Sequence, residues 1–418
     1  MKLSDINKAI GIIFVAYHFT LCQSVNPQLN TNVIVGLEVL LNSRHELIHN
    51  QAITLVTNQI KQDHNFFQYY DSLFSLQDVE IKKIIVPKLN SLKKDIMNDS
   101  LSNRLQLYDL PEVMYLTNKT LKSLPEILQG ITLILIDIQD IGTRSFSYLS
   151  IFGHFLEVAG ELKIPVIVLD RPNPLGGIVV EGAVLAPDYK SSTSFFPLPI
   201  RHGLTMGELA NMIVGEKWID PIPELTIVKM ENWTRDLYYD DTGLAWVNPS
   251  LKISDFETVF LFPGMSLLEA TNVSFGQGTN QPYKLVGAPW LTYDLAKELM
   301  NLHLPGLKIK LKRFKPKISE GVISSPMYEN QWCLGFKQSV SEKTDIRSVE
   351  LGVYILYMIA ALNADHFQFN SKKLNTLWGN DDLSELMLGR KRLKDLLETM
   401  KKDQETFTQR RAKYLLYP

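Results

Sequence analysis

The most constraining feature of this 418-residue chain is Thr132-Leu-Ile-Leu-Ile-Asp-Ile-Gln-Asp-Ile-Gly-Thr-Arg-Ser-Phe-Ser-Tyr148. Its first half is an unbroken run of branched aliphatics, which suits a strand buried on both faces of a parallel sheet. The run then changes into Asp137, Gln139, Asp140, Gly142 and Arg144, and a helical pattern begins near Phe146. Open α/β sheets bind ligands at such strand ends, so this stretch is expected to form the floor of an active site.

The flanking sequence repeats the alternation. A helical pattern covers Val33 to Asn50, a β-branched strand Ala52 to Thr57 ends in Asn58, and a helix is expected from Phe66 to Leu76. Strands follow at Ile81–Val86 and Val113–Leu116, separated by a polar, irregular stretch over 89–110. Beyond the opening stretch come a helix to Leu162 and the strand Pro165–Asp170. Strands alternating with helices indicate βαβ units and a parallel, Rossmann-like sheet. The first strand-to-helix turn has no glycine and no phosphate-binding loop occurs, so no dinucleotide cofactor is expected.

The periodicity weakens past Leu225. Pro263-Gly-Met and Gly276-Gln-Gly-Thr279 read as loops, and Lys308–Phe314 as an edge strand guarded by lysines. Val349–Leu362 is an apolar helix, and a charged helical region runs from Leu383. The chain is too long for one typical core. The expectation is a Rossmann-like α/β domain of catalytic type over 33–247 and a smaller α/β auxiliary domain over 248–418.

A net charge of -2 gives no nucleic-acid footprint. Residues 1–24 read as a signal peptide: Ala9–Leu21 is an apolar core too short to span a bilayer. A buried N-terminal helix is the alternative. Export to a periplasmic or extracellular space is expected, with cleavage near Ser24 or lipid anchoring through Cys22, and no other segment reads as a membrane span. Without Cys22, Cys333 stands alone, so neither a disulfide nor a cysteine metal site is expected.

Acids gather at two strand ends: Asp137 with Asp140, and Asp170 with Arg171, whose planar fork suits a carboxylate, sugar hydroxyls or a structural ion pair. Glu181 follows the next turn. His202, beside Arg201, reads as a proton relay, a substrate donor or a structural histidine. Thr205 to Glu208 has capping-box spacing, so Glu208 reads as a helix cap, with a catalytic acid as the alternative. No serine sits in a nucleophile elbow and no spacing suits a metal. Carboxylate chemistry without metal or cofactor remains, and it points to glycoside hydrolysis, where two acids flank the scissile bond.

Several long stretches sharpen this. They are Asp137-Ile-Gln-Asp-Ile-Gly142 with Arg144 and Tyr148, Asp170-Arg-Pro-Asn-Pro-Leu-Gly-Gly177, Val180-Glu-Gly182 and Pro199-Ile-Arg-His-Gly203. Thr242–Val247, Thr271-Asn-Val-Ser274, Gly287-Ala-Pro-Trp290 and Tyr414-Leu-Leu-Tyr417 follow. Together they resemble the exo-β-N-acetylmuramidase (NamZ-type) family of peptidoglycan glycosidases. The resemblance implies a cleft between two domains and release of terminal N-acetylmuramic acid from peptidoglycan-derived saccharides. It implies catalytic roles around Glu181, Asp140 and His202. Implied substrate contacts are Asn58, Asp137, Gln139, Arg144, Tyr148, Asp170 and Arg171, with Asn173, Arg201, Trp246 and Asn272.

The departures bear on chemistry. The family's Pro-Glu-His-Gly motif, whose glutamate is thought to be catalytic, reads Pro87-Lys88-Leu89-Asn90 here. Lysine cannot act as a carboxylic proton donor. Ser-Glu-Gly-Arg-Gly-Thr reads Ser274-Phe275-Gly276-Gln277-Gly278-Thr279, and Glu-Gly-Thr-Asn reads Glu269-Ala270-Thr271-Asn272. The usual Pro-Ser-Pro-Asn reads Pro249-Ser250-Leu251-Lys252. Two readings follow: an active glycosidase, using Glu181 or a neighbouring acid with the Asp137 and Asp140 cluster (or Asp95 or Asp99 of the next loop if the motif match at Lys88 is displaced), or a catalytically weakened homologue that binds muramic-acid saccharides or acts as a scaffold.

Overall fold

The computed structural model describes residues 32–59, 65–87, 113–116, 118–191, 193–250, 253–318 and 325–418. The expected signal segment, Cys22, Lys88, Asp95 and Asp99 lie outside the described residues.

Six strands form one parallel sheet: β1 (Ala52–Thr57), β2 (Glu80–Pro87), β3 (Val113–Leu116), β4 (Leu133–Asp137), β5 (Val166–Leu169) and β6 (Leu225–Val228), in the order β3-β2-β1-β4-β5-β6. The unbroken aliphatic run in β4 has a simple cause. Leu133 and Leu135 enter one core while Ile134 and Ile136 enter the other, so no position is left for a polar residue. Helices α1 (Gly36–Ser43) and α2 (Asn65–Phe74) pack in the first core through Leu37, Leu40, Tyr70 and Leu73. The short α3 (Asn118–Leu121) follows β3. The second core is covered by α4 (Leu124–Ile127), α5 (Tyr148–Leu162) and α6 (Met206–Gly215).

A second sheet, β7 (Leu285–Ala288), β9 (Cys333–Val340) and β8 (Leu307–Phe314) in that order, is antiparallel. It packs with α7 (Phe256–Met265), α8 (Tyr293–Asn301) and α9 (Ser348–Leu362). Three further helices, α10 (Ser371–Trp378), α11 (Asp382–Met387) and α12 (Leu393–Arg411), lead back to the parallel sheet. Among the described residues no helix is long and apolar enough to cross a membrane.

Three local expectations change. The helix read over 33–50 is only Gly36–Ser43 followed by a short 3-10 turn, His45–Leu47, because the backbone leaves helical angles at Arg44. β6 is a strand the periodicity does not reveal, since its first three residues are half-buried at the sheet edge. Pro263-Gly264-Met265 ends α7 instead of forming a loop. Gly264 serves a close crossing there: a Cβ at this position would lie 1.7 Å from the Ser348 carbonyl oxygen on α9. Gly264→Ala is therefore expected to cost about 1–3 kcal/mol, as overpacking does, with the loss read by chemical denaturation.

Candidate active site

In this strand order the chain winds outward in both directions from β1 and β4, and the crevice beyond their C-terminal ends is the topological switch point where such sheets bind ligands. The residues at these two ends lock together. The Asn58 side chain donates to the Gln139 carbonyl at 2.8 Å and accepts from the Gln139 N–H at 2.9 Å. It thus extends the parallel pairing by one step past Thr57 and Asp137.

Asp137 is fully buried and held by three donors. Arg171 Nε and Nη2 approach its two oxygens at 2.5 and 3.0 Å, and the Tyr70 hydroxyl donates at 2.5 Å. A buried carboxylate held by a planar guanidinium fork is fixed in orientation. This pair ties the end of β4 to the residues that follow β5.

Asp140 differs from Asp137. One oxygen accepts from the Gly142 N–H at 2.7 Å and lies 3.7 Å from His202 Nε2, while the other has no partner among the described residues. His202 Nδ1 accepts from the Leu204 N–H at 3.2 Å, which leaves the proton of a neutral imidazole on Nε2, facing Asp140. Gln139 anchors its amide nitrogen on the Asp140 and Pro172 carbonyls, both at 2.9 Å, and its Oε1 is unpaired. Among the described residues, Gln139 Oε1, Asp140 Oδ1 and His202 Nε2 are thus buried polar atoms without a hydrogen bond, together with the hydroxyls of Thr143, Ser145 and Ser147 in the same loop. Each such atom costs about 1–3 kcal/mol while it stays unpaired, so their gathering past the end of β4 is a concentrated cost for the protein alone.

The other residues singled out in the sequence lie at joints. Glu181 accepts from Arg201 Nη1 and from the Val349 N–H at the start of α9, both at 3.2 Å. Arg201 also donates to the Leu175 carbonyl at 2.6 Å. Arg144 directs its terminal nitrogens at four backbone carbonyls, and Tyr148 donates to the Pro249 carbonyl. Asn173 closes a turn onto the Leu175 N–H and donates to the Leu204 carbonyl. Trp246 packs between Tyr239 and Phe256, with its indole N–H on Asn248. Asn272 binds the His366 carbonyl and the Gln368 N–H, which fixes that loop. Among the described residues no group of three His, Cys, Asp or Glu side chains is placed to hold a metal ion.

Residues 53–257 match the N-terminal region of exo-beta-N-acetylmuramidase NamZ, and residues 260–417 match its C-terminal region. The chain belongs to the NamZ family. A relative from Bacillus subtilis (strain 168), the peptidoglycan beta-N-acetylmuramidase NamZ, is 31% identical over 387 residues, which is 92% of this chain and 91% of the relative. The fold is also that of two crystal structures of DUF1343 family proteins from Bacteroides fragilis NCTC 9343. One has a TM-score of 0.81 at 30% identity and the other 0.70 at 25%, each covering 93% of this chain and 99% of the other.

The stretches that carry the likeness to NamZ proteins thereby gain physical roles. Asp170 accepts from the Arg171 and Gly207 N–H groups and from the hydroxyls of Thr205 and Tyr417, which ties β5, the start of α6 and the chain's last residues into one knot. The capping box of Thr205 and Glu208 is present as read. Tyr70 and Tyr417 carry functions that the residue reading did not assign. Tyr417 belongs to a matching NamZ motif, whereas nothing in the spacing around Tyr70 signals its bond to Asp137.

Burial pushes the Asp170 carboxyl up from the ordinary 3.8 to about 6, against the pull of Tyr417, Thr205 and Gly207. A folded value above the unfolded one means that this group's contribution to stability is complete below the unfolded value and is lost as pH rises through 6. The wild type should accordingly lose stability relative to Asp170→Asn between pH 4 and 6, read as the difference in urea midpoints.

Proposed function

We propose that the chain acts on peptidoglycan-derived saccharides as an exo-acting glycosidase, binding a terminal N-acetylmuramic acid unit at the C-terminal edge of the parallel sheet. The observation that supports this best is the set of unpaired buried polar atoms on Gln139, Asp140 and His202 at the switch point. Asp140 is the acid there with an open oxygen, and His202 faces its other oxygen. In this reading Asp140 supplies the carboxylate that works as a base or stabilises positive charge at the sugar, and His202 orients it. Glu181 acts as a positioning residue through Arg201 and α9. Peptidoglycan lies outside the cytoplasmic membrane, and the signal-like character of residues 1–24 agrees with export.

Lys88 favours a second reading. Glycoside hydrolysis generally uses two acids, and the lysine stands where the family motif has its glutamate. In that case the site retains saccharide binding and little turnover. Release of N-acetylmuramic acid from a chromogenic muramide separates the two. Turnover by the native protein supports the first, while calorimetric binding without turnover supports the second. Lys88→Glu is expected to raise the rate by about 10²–10⁴ under the second reading. Neither binding nor turnover in any variant would sink both.

A further inference from the structure

We propose that β8 and its surroundings form a docking surface for an anionic lipid bilayer, independent of the reaction proposed above. On a chain of net charge -2, the segment from Lys308 to Lys317 carries Lys308, Lys310, Lys312, Arg313, Lys315 and Lys317 and no acid. Among the described residues none of these six forms an ion pair. The strand pleat places Lys308, Lys310 and Lys312 on one face, with successive charges roughly 7 Å apart. Lys337 on β9 stands directly opposite Lys310. Like charges facing each other across a sheet destabilise it, so this face is held at a cost that an external anion would relieve.

The apolar groups decide the kind of anion. Met300, Leu311, Ile318 and Trp332 are 42%, 42%, 54% and 51% exposed, and all four lie on or beside this strand. Arg313 lies over the Trp332 ring with its guanidinium carbon 4.0 Å from the centroid. Between α8 and β8 a groove of about 240 Å³ has an aliphatic floor of Leu299, Leu304 and Leu307 and a rim that includes Lys308 and Lys310. Lysines that only guard an edge strand explain the charge but not the open aliphatics and indole beside it. A soluble polyanion has no use for them either. The pleat sets Leu311 and Arg313, with Trp332, on the opposite face from the three lysines, so the two sets meet along the free edge of β8, and it is this edge that suits the boundary between anionic headgroups and acyl chains.

The test is co-sedimentation of the full chain with vesicles of phosphatidylglycerol and phosphatidylcholine, against pure phosphatidylcholine, at low and raised salt. Binding is expected only to the anionic vesicles and should weaken with salt. The combined Lys308→Gln, Lys310→Gln and Lys312→Gln variant is expected to bind on the order of a hundredfold more weakly. Brominated acyl chains should quench tryptophan emission in the unmodified protein, and Trp332→Phe should remove that quenching. No binding to anionic vesicles, or binding that the triple variant leaves unchanged, would overturn the proposal. So would retention of inorganic polyphosphate without vesicle binding, which assigns the strip to a soluble polymer.

Discussion

Asp140→Asn is expected to lower turnover of a chromogenic muramide by about 10²–10⁴ while barely moving the unfolding midpoint. The separation of the two effects follows from how each oxygen is used. Asparagine keeps an acceptor for the Gly142 N–H, now at 2.7 Å, and places its NH₂ where the aspartate has an oxygen without a partner. The fold therefore loses little, whereas the negative charge that a glycosidic transition state needs is gone. Glu181→Gln should behave in the opposite way. Its carboxylate bonds Arg201 and the Val349 N–H inside the protein, so the cost falls on stability and the rate per folded molecule stays near that of the wild type. If the native protein binds without turnover, the same pair is compared by calorimetry, with affinity lost in Asp140→Asn alone. A fully active Asp140→Asn would rule Asp140 out as the working carboxylate.

That contrast shows what a sequence can reveal about this site. The β4 stretch is legible because a strand facing two cores must be aliphatic throughout, and its sudden end in acids marks the sheet's ligand edge. The capping box at Thr205 and Glu208 is legible because its two hydrogen bonds are local. Roles of individual charges are not legible in this way. Asp137, Asp140, Asp170 and Glu181 look alike in the chain, and only long-range partners separate them: Tyr70 and Arg171 for Asp137, Tyr417 for Asp170, and α9 for Glu181. Asp140 stands out by what it lacks. β6 and the end of α7 are missed for a related reason. Edge exposure blurs the strand period in one, and in the other a proline and a glycine accommodate a crossing with a helix that begins at Ser348.

Arg144→Met is expected to cost about 3–5 kcal/mol, enough to leave the chain partly unfolded at physiological temperature. The guanidinium is 1% exposed and has no acid beside it among the described residues. Its Nη1 donates to the Ala183 and Leu198 carbonyls at 2.8 and 2.6 Å, and its Nη2 to the Leu377 and Trp378 carbonyls at 2.8 and 2.7 Å. The last two belong to the C-terminal end of α10, where helix carbonyls have no intrahelical partner and the helix dipole favours a cation. Burial pushes the guanidinium down to about 9, so it remains charged at neutral pH. Gly379 makes the approach possible: its φ of 109° ends the helix, and a Cβ there would lie 3.0 Å from Nη2. Methionine fills the volume of the stem but takes the guanidinium away from four carbonyls, of which that of Leu198 keeps the Leu185 N–H at 3.1 Å, and each lost bond to a charged donor is worth about 1.5–3 kcal/mol before the relief of desolvating the cation is counted. Arg144→Lys should recover only part of the loss, because an ammonium cannot reproduce the planar fork that reaches both pairs. Denaturant midpoints at neutral pH decide the matter, and a loss below about 1 kcal/mol in Arg144→Met would show that the two segments hold together without this joint.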